Sequence, residues 1–317
     1  MPADRLVVAT HLDPNLYAEL LDALAGCDGL KLLRLDGENP WEVPDETDVL
    51  LTGPLESWKG SPARKPASWP RDLKWIQLTS AGADWMPDWL TRVAPIATAR
   101  GTTAHAIAEF AVIAMLADAK RWDQLRVQRP ADWRVRALRA FSDATVGIAG
   151  MGAIGGRVAE LSAAFGATVL GWRRSGPVPE FGDVARLEDM IARSDHLVLA
   201  LPLTPETHHI VNAAVLRMAK PGLHLVNVAR GELIDEPALL SALDSGLVRA
   251  ATLDAASEEP PRDLHPFYQH PRIRLSAHTS WSAPGAQSRI AEALIRNADL
   301  YWADQPLTGL FDPSAGY

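Results

Sequence analysis

The sequence predicts an α/β protein of two domains, each built on a parallel sheet with helices against it. Short apolar segments of strand length alternate with amphipathic segments of helix length almost throughout. The segments fall into two series that part near residue 100. The chain's 317 residues also suggest two domains.

In the first series Leu6–Thr10, Lys31–Leu35, Val49–Thr52 and Trp75–Thr79 read as strands, and Pro14–Leu24 is the clearest helix between them. Turn-forming residues end these strands, as in Thr52-Gly53-Pro54 and Ser80-Ala81-Gly82. The second series follows Arg100-Gly101. Its strands are Thr145–Ala149, Thr168–Trp172, His196–Leu201, His224–Val228, Ala250–Leu253 and Arg272–Ser276. Helices fill the gaps at Ile154–Phe165, Leu187–Arg193, Ala213–Met218 and Pro237–Ser245. One long helix, roughly Pro284 to Trp302, then returns past the last strand. There is no internal repeat and no low-complexity segment.

Composition narrows the function. With 47% hydrophobic and 22% charged residues the chain is globular, neither disordered nor fibrous. A net charge of -8 argues against binding nucleic-acid phosphates or an anionic membrane. A single cysteine, Cys27, excludes a disulfide framework and multi-thiolate metal sites, fits a reducing compartment and reads as an ordinary buried thiol. Apolar runs fall short of the ~20 residues of a membrane span, and the start lacks a secretory apolar core, so a cytoplasmic protein is expected. The basic stretch Lys120 to Arg139 is interrupted by Asp123 and Asp132 and spaced by Trp122, Leu125, Trp133 and Leu138 like packed structure. It reads as a solvated helical or interface face. Of the 11 tryptophans, Trp172 and Trp281 fall at ligand loops, while Trp75, Trp122, Trp133 and Trp302 are expected to pack helices, strands and the dimer.

The buried strand Thr145–Ala149 runs directly into Gly150-Met151-Gly152-Ala153-Ile154-Gly155, which opens a helix. This is GxGxxG in its proper context. Gly150 permits a tight turn, Gly152 lets a pyrophosphate approach the backbone, and Gly155 lets helix and strand pack closely. The free N–H groups of Ala153 and Ile154, with the helix dipole, meet the diphosphate. An NAD site usually places Asp or Glu at the end of the next strand to hold the ribose 2′-OH. Here that strand ends in Gly171-Trp172-Arg173-Arg174-Ser175, without a carboxylate. Arg173, Arg174 and Ser175 suit a 2′-phosphate, so NADP(H) is expected over NAD(H).

Three polar residues stand at C-terminal strand ends, where an open parallel sheet binds its ligands. Arg230 follows Leu225–Ala229, Glu259 follows the strand ending at Leu253, and His278 closes Arg274–Ala277. Singly, each is as readily a surface or capping residue. Together they suit a 2-oxo acid: the arginine grips the carboxylate and polarises the ketone, the histidine donates a proton to the oxygen, and the glutamate holds the imidazole and favours its charged form. No nucleophile–base pair, HExxH or other metal spacing is present, and no metal is expected.

The chain from about Lys74 to Ser288 resembles the D-isomer-specific 2-hydroxyacid dehydrogenases, the glyoxylate and hydroxypyruvate reductases among them. The likeness rests on Lys74-Trp75-Ile76-Gln77, Ser80-Ala81-Gly82-Ala83-Asp84, the glycine loop, Leu201-Pro202-Leu203-Thr204-Pro205-Glu206-Thr207, Met218-Ala219-Lys220-Pro221-Gly222, Val226-Asn227-Val228-Ala229-Arg230-Gly231-Glu232 and Glu258-Glu259-Pro260. It implies that Arg230, Glu259 and His278 are catalytic and that Ala81 and Gly82, with the loop at Gly53, hold the substrate carboxylate. It also implies cofactor contacts at Ala153, Ile154, Leu201, Val228, Ala229, Arg230 and Asp254, where Asp254 binds the nicotinamide carboxamide or acts as a cap. Helix 104–120 resembles the family's dimerisation helix, which implies a homodimer. Trp281, three positions after the histidine, either walls the site or packs.

The fold expected is a Rossmann nucleotide-binding domain, residues 100–281, inserted into a smaller flavodoxin-like α/β substrate domain, residues 1–99 plus 282–317. The reaction expected is NADPH-dependent reduction of glyoxylate or hydroxypyruvate. Departures leave two alternatives open. Asp254-Ala255-Ala256 lacks the family's aromatic at its third position, and Ala277 replaces the usual proline, so a bulkier 2-oxo acid is one rival. A non-catalytic dinucleotide-sensing corepressor on the same scaffold is the other.

Overall fold

The computed structural model describes residues 5–174, 181–184 and 186–313. Ser175 lies outside the described residues. The chain divides into two compact units, one formed by Met1–Thr103 with Ala283–Tyr317 and the other by Ala104–Ser282.

In the first unit Asp13 caps the helix α1 (Pro14–Ala23): its carboxylate accepts from the N–H groups of Asn15 and Leu16, and Pro14 fills the first helical position. The strands β1 (Leu6–Thr10), β2 (Leu30–Arg34), β3 (Val49–Thr52), β4 (Trp75–Leu78) and β5 (Ile96–Ala97) form a parallel sheet in the order β2-β1-β3-β4-β5. That is the flavodoxin-like winding. β3 and β4 are buried along their whole length, as central parallel strands covered on both faces should be. The C-terminal helix, Ala286–Trp302, buries Ile290, Leu294 and Ala298 in the core shared with Leu20, Leu51 and Trp75. Asn297 on that helix donates its Nδ2 to Gln77 Oε1 of β4 at 2.9 Å. A Cβ on Gly29 would lie 2.5 Å from the Trp302 ring, so the glycine makes room for the indole.

The second unit runs α2 (Ala104–Ala119), β6 (Thr145–Ala149), α3 (Ala153–Ala164), β7 (Thr168–Trp172), β8 (Gly182–Asp183), α4 (Leu187–Arg193), β9 (His196–Leu199), α5 (Ala213–Arg217), β10 (Leu223–Asn227), α6 (Glu236–Asp244), β11 (Val248–Leu253) and β12 (Ile273–Leu275). Its parallel sheet has the order β12-β11-β10-β9-β6-β7-β8. Chain direction across the sheet reverses between β6 and β9, the Rossmann switch point where a ligand is received.

The expectations for the basic stretch and for Cys27 need correction. Past Ala119 the basic stretch is not a helix: it contains short 3₁₀ turns at Trp122–Gln124 and Pro130–Asp132. Trp122 and Trp133, expected to pack helices, strands and the dimer, are 68% and 82% exposed in the chain by itself. Cys27 is half-buried rather than buried. Among the described residues no helix is long and apolar enough to cross a membrane.

Candidate active site

The glycine loop joins β6 to α3 as the spacing requires. Gly150 has φ +101°, open to few residues but glycine, and a Cβ there would lie 2.4 Å from the carbonyl oxygen of Ala200. A Cβ on Gly155 would lie 1.8 Å from the carbonyl oxygen of Gly150, so only glycine lets α3 start against the turn. Gly152 is the helix N-cap and supplies no side chain to it, which leaves the first-turn amides near Ala153 and Ile154 for an external anion. Ala153 is exposed and Ile154 half-buried. Around this cradle stand the ends of the neighbouring strands: Leu201 after β9, and Val228 and Ala229 after β10, all buried. Arg173 and Arg174 follow β7 directly and are exposed. The charge of Arg174 contributes to holding Glu206 below the ordinary carboxylate range, after the Thr204 hydroxyl and the residue's own backbone amide. These features fit a dinucleotide diphosphate: a cradle that any side chain would fill, opening on an uncapped helix start.

The polar set lies at the same C-terminal ends. His278 Nδ1 is 2.9 and 3.1 Å from the two carboxylate oxygens of Glu259. Nδ1–H donates to the carboxylate, which leaves Nε2 for a substrate. Burial opposes the charge on Glu259, but the hydrogen bond and charge of His278, the amide of Ala256 and the charge of Arg230 together hold it below the ordinary carboxylate range. Arg230 is half-buried and its Nη1 donates to the carbonyl of Ala229 at 3.0 Å.

Two residues that position this set, Asn227 and Gly231, were not singled out from sequence. Asn227, the last residue of β10, accepts from the Ala229 amide at 3.1 Å and donates to the Arg230 carbonyl at 2.7 Å, which fixes the turn carrying the arginine. Gly231 is the second: a Cβ there would lie 2.0 Å from the backbone of Ala256, so glycine lets the Arg230 turn approach the chain that leads to Glu259. Asp254 is buried and takes three donors from the His278 loop, the Ser276 hydroxyl at 2.6 Å and the amides of Thr279 and Ser280 at 3.0 and 2.9 Å. Its observed contacts are those of a loop anchor. Trp281 is 42% exposed and donates its indole N–H to the His278 carbonyl at 2.8 Å, so it is not a core residue. A motif hinted at Asn227 and Gly231, since both stand in the run quoted around Arg230; the clamp of Asp254 crosses from β11 to β12 and has no local signal.

In the first unit Gly53 follows β3, where a Cβ would meet Thr79 Oγ1 at 2.2 Å. The turn after β4 is braced internally. Ser80 Oγ donates to the Gly82 carbonyl at 2.7 Å and Trp85 Nε1 donates to the same oxygen at 3.1 Å. Ala81 is exposed at its tip.

Residues 111–280 match the family model described as D-isomer specific 2-hydroxyacid dehydrogenase, NAD binding domain. The chain belongs to this family. A glyoxylate/hydroxypyruvate reductase A from Serratia proteamaculans is 32% identical to this dehydrogenase over 219 residues, 68% of this chain and 69% of that protein. An NADPH-dependent glyoxylate/hydroxypyruvate reductase from Sinorhizobium meliloti, solved with NADP and sulfate, is 27% identical with a TM-score of 0.83, over 99% of this chain and 100% of its own. A D-isomer specific 2-hydroxyacid dehydrogenase from Xanthobacter autotrophicus Py2, solved with NADPH and MES, is 26% identical with a TM-score of 0.80, over 98% of this chain and all of its own. The chain thus carries the family's NAD binding domain over residues 111–280, and the glycine turn lies within it.

Proposed function

We propose that this dehydrogenase reduces a small 2-oxo acid, glyoxylate or hydroxypyruvate, to the 2-hydroxy acid with NADPH. The observation that carries the reading is the His278–Glu259 pair, bonded through both carboxylate oxygens, at the strand ends that also hold Arg230. A nicotinamide dinucleotide held at the turn of Gly150, Gly152 and Gly155 would supply the hydride for the carbonyl carbon. The protonated ring of His278 gives its Nε2 proton to the carbonyl oxygen and is left neutral, while the ionised Glu259 accepts from Nδ1–H and orients the ring. Arg230 binds the substrate carboxylate and polarises the carbonyl through a charge-assisted fork. The amides of Ala81 and Gly82 and the loop at Gly53 are proposed carboxylate contacts in the first unit, and Trp281 a wall against water.

The names of the reductases above support the substrate class, and the exposed Arg173 and Arg174 support NADPH over NADH. The test is kcat/KM with each cofactor on glyoxylate, hydroxypyruvate, pyruvate and a phenyl-substituted oxo acid. NADPH and the small acids should be favoured. Arg173→Asp should lower the NADPH/NADH ratio by about 10- to 100-fold, the worth of one lost charged hydrogen bond plus repulsion. Preference for NADH, or a ratio unmoved by Arg173→Asp, would remove the NADPH reading.

The same proposal includes a cytoplasmic homodimer through α2. Ile113 on α2, then Trp122, Val127, Trp133 and Val135 beyond it, form a run of exposed apolar residues that a second copy would cover. Sedimentation of the untagged protein should give twice the chain mass.

A further inference from the structure

At the end of the second unit's sheet away from the glycine loop, the last turn of α2 and the first residues of β9 and β10 bring Asp118, His196 and His224 together. The two histidines are paired across the β9–β10 ladder and both are buried. Their Nδ1 atoms face each other at 3.1 Å. Asp118 Oδ2 lies 4.0 Å from His196 Nδ1 and 3.9 Å from His224 Nδ1. On β11, Thr252 Oγ1 is 3.0 Å from His224 Nε2, and Arg249 donates Nη1 to Asp118 Oδ1.

Hydrogen bonding alone leaves this cluster incomplete. One proton between the Nδ1 atoms satisfies both nitrogens, and Asp118 Oδ2 then faces them from beyond hydrogen-bond reach. That oxygen is buried without a donor among the described residues, on a side chain only 8% exposed. A buried carboxylate oxygen left so is costly. A second proton on the pair would supply a donor only by burying another cation beside the Arg249 guanidinium that already meets Asp118. A ring that carries its single proton on Nε2 keeps the Nδ1 lone pair.

We propose that Asp118, His196 and His224 bind one divalent transition-metal ion of the zinc class. The three separations place a point about 2.2 Å from each of the three atoms, within reach of zinc–nitrogen and zinc–oxygen bonds. An ion there gives Asp118 Oδ2 and both Nδ1 lone pairs a partner at once. His224 Nε2–H then donates to Thr252 Oγ1, an outer contact of the kind that fixes a ligating tautomer. Two imidazoles select a borderline ion over magnesium or calcium, which take oxygen ligands. The positive charge of Arg249 on the other carboxylate oxygen lowers the affinity, so the site is a modest binder. The ion ties the end of α2 to two sheet strands at the opposite edge from the proton-transfer set; its role is structural, and the reductase reaction does not depend on it.

The test uses the untagged full chain, stripped with a chelator and titrated with Zn²⁺ and, separately, Co²⁺. Equilibrium dialysis should give one equivalent per chain, Co²⁺ should give visible d–d bands of a low-symmetry nitrogen and oxygen site, and Zn²⁺ should raise Tm. The isosteric Asp118→Asn and the variant His224→Gln should each weaken binding by about tenfold or more. A control with His208→Ala and His209→Ala, the exposed stacked pair, should bind as wild type. Wild-type protein that holds no more metal than a histidine-poor control overturns the proposal, and this arm needs no variant to fold. Metal that survives Asp118→Asn and His224→Gln but leaves with His208 and His209 overturns it as well.

Discussion

Asp254→Asn isolates how the loop that carries His278 is held. The wild-type carboxylate takes Ser276 Oγ and Thr279 N on Oδ1 and Ser280 N on Oδ2. Asparagine preserves the volume and one acceptor oxygen, but it turns an amide NH₂ toward the buried N–H of Ser280. That amide loses a charged acceptor, which costs about 2 kcal/mol. In a unit of this size the loss lowers Tm by about 4–8 °C. His278 is held at φ +48°, a left-handed conformation unfavourable for a non-glycine residue, so a loosened loop will not keep the ring where it stands. A displacement of about 1 Å at a proton donor costs on the order of 10²-fold. The expected result is a lower Tm by differential scanning fluorimetry and kcat down 10- to 100-fold, with NADPH affinity by indole quenching unchanged. Full kcat at wild-type Tm would refute the anchoring argument. A loss confined to NADPH affinity would instead assign Asp254 to the nicotinamide carboxamide.

Other perturbations have equally definite outcomes. Glu259→Gln should lower kcat by about 10²-fold; because Glu259 is held below the ordinary carboxylate range, any acid limb it causes in the wild type lies below that range, and a limb above it that vanishes in Glu259→Gln contradicts this. Gly155→Ala should weaken NADPH binding at least about tenfold by forcing backbone against the Gly150 carbonyl, and unaltered binding would mean the cradle is not used. Burial lowers His11 to about 4, against the pull of Asp36, so the unfolded chain takes up the proton first: stability is full above about pH 6.5 and falls by about 3 kcal/mol as pH drops through 4. His11→Phe should flatten that part of the pH–Tm curve, and a slope left intact would assign it to other groups.

The regular parts of this fold were legible because burial writes a repeating signal. β3, β4, β6 and β10, covered on both faces, stand out as apolar runs, and Asp13-Pro14 marks the start of α1. β5 and β8 have two residues each, too few for any periodicity. Trp122 and Trp133 are exposed in the single chain: aromatic spacing does not say whether the same chain or a second copy covers a surface. The site divides the same way. GxGxxG and the strand-end polar residues are local patterns, whereas the Asp254 clamp and the Asp118–His196–His224 cluster join residues from separate elements with no fixed spacing.

The most direct measurement of the central claim is NADPH oxidation with glyoxylate and hydroxypyruvate by the wild type and by His278→Gln, alongside NADPH binding to both. The expected result is turnover by the wild type and a fall in kcat of about 10³-fold in His278→Gln, with the cofactor still bound. Turnover that survives His278→Gln, or a wild type that binds NADPH and reduces no 2-oxo acid, would contradict it.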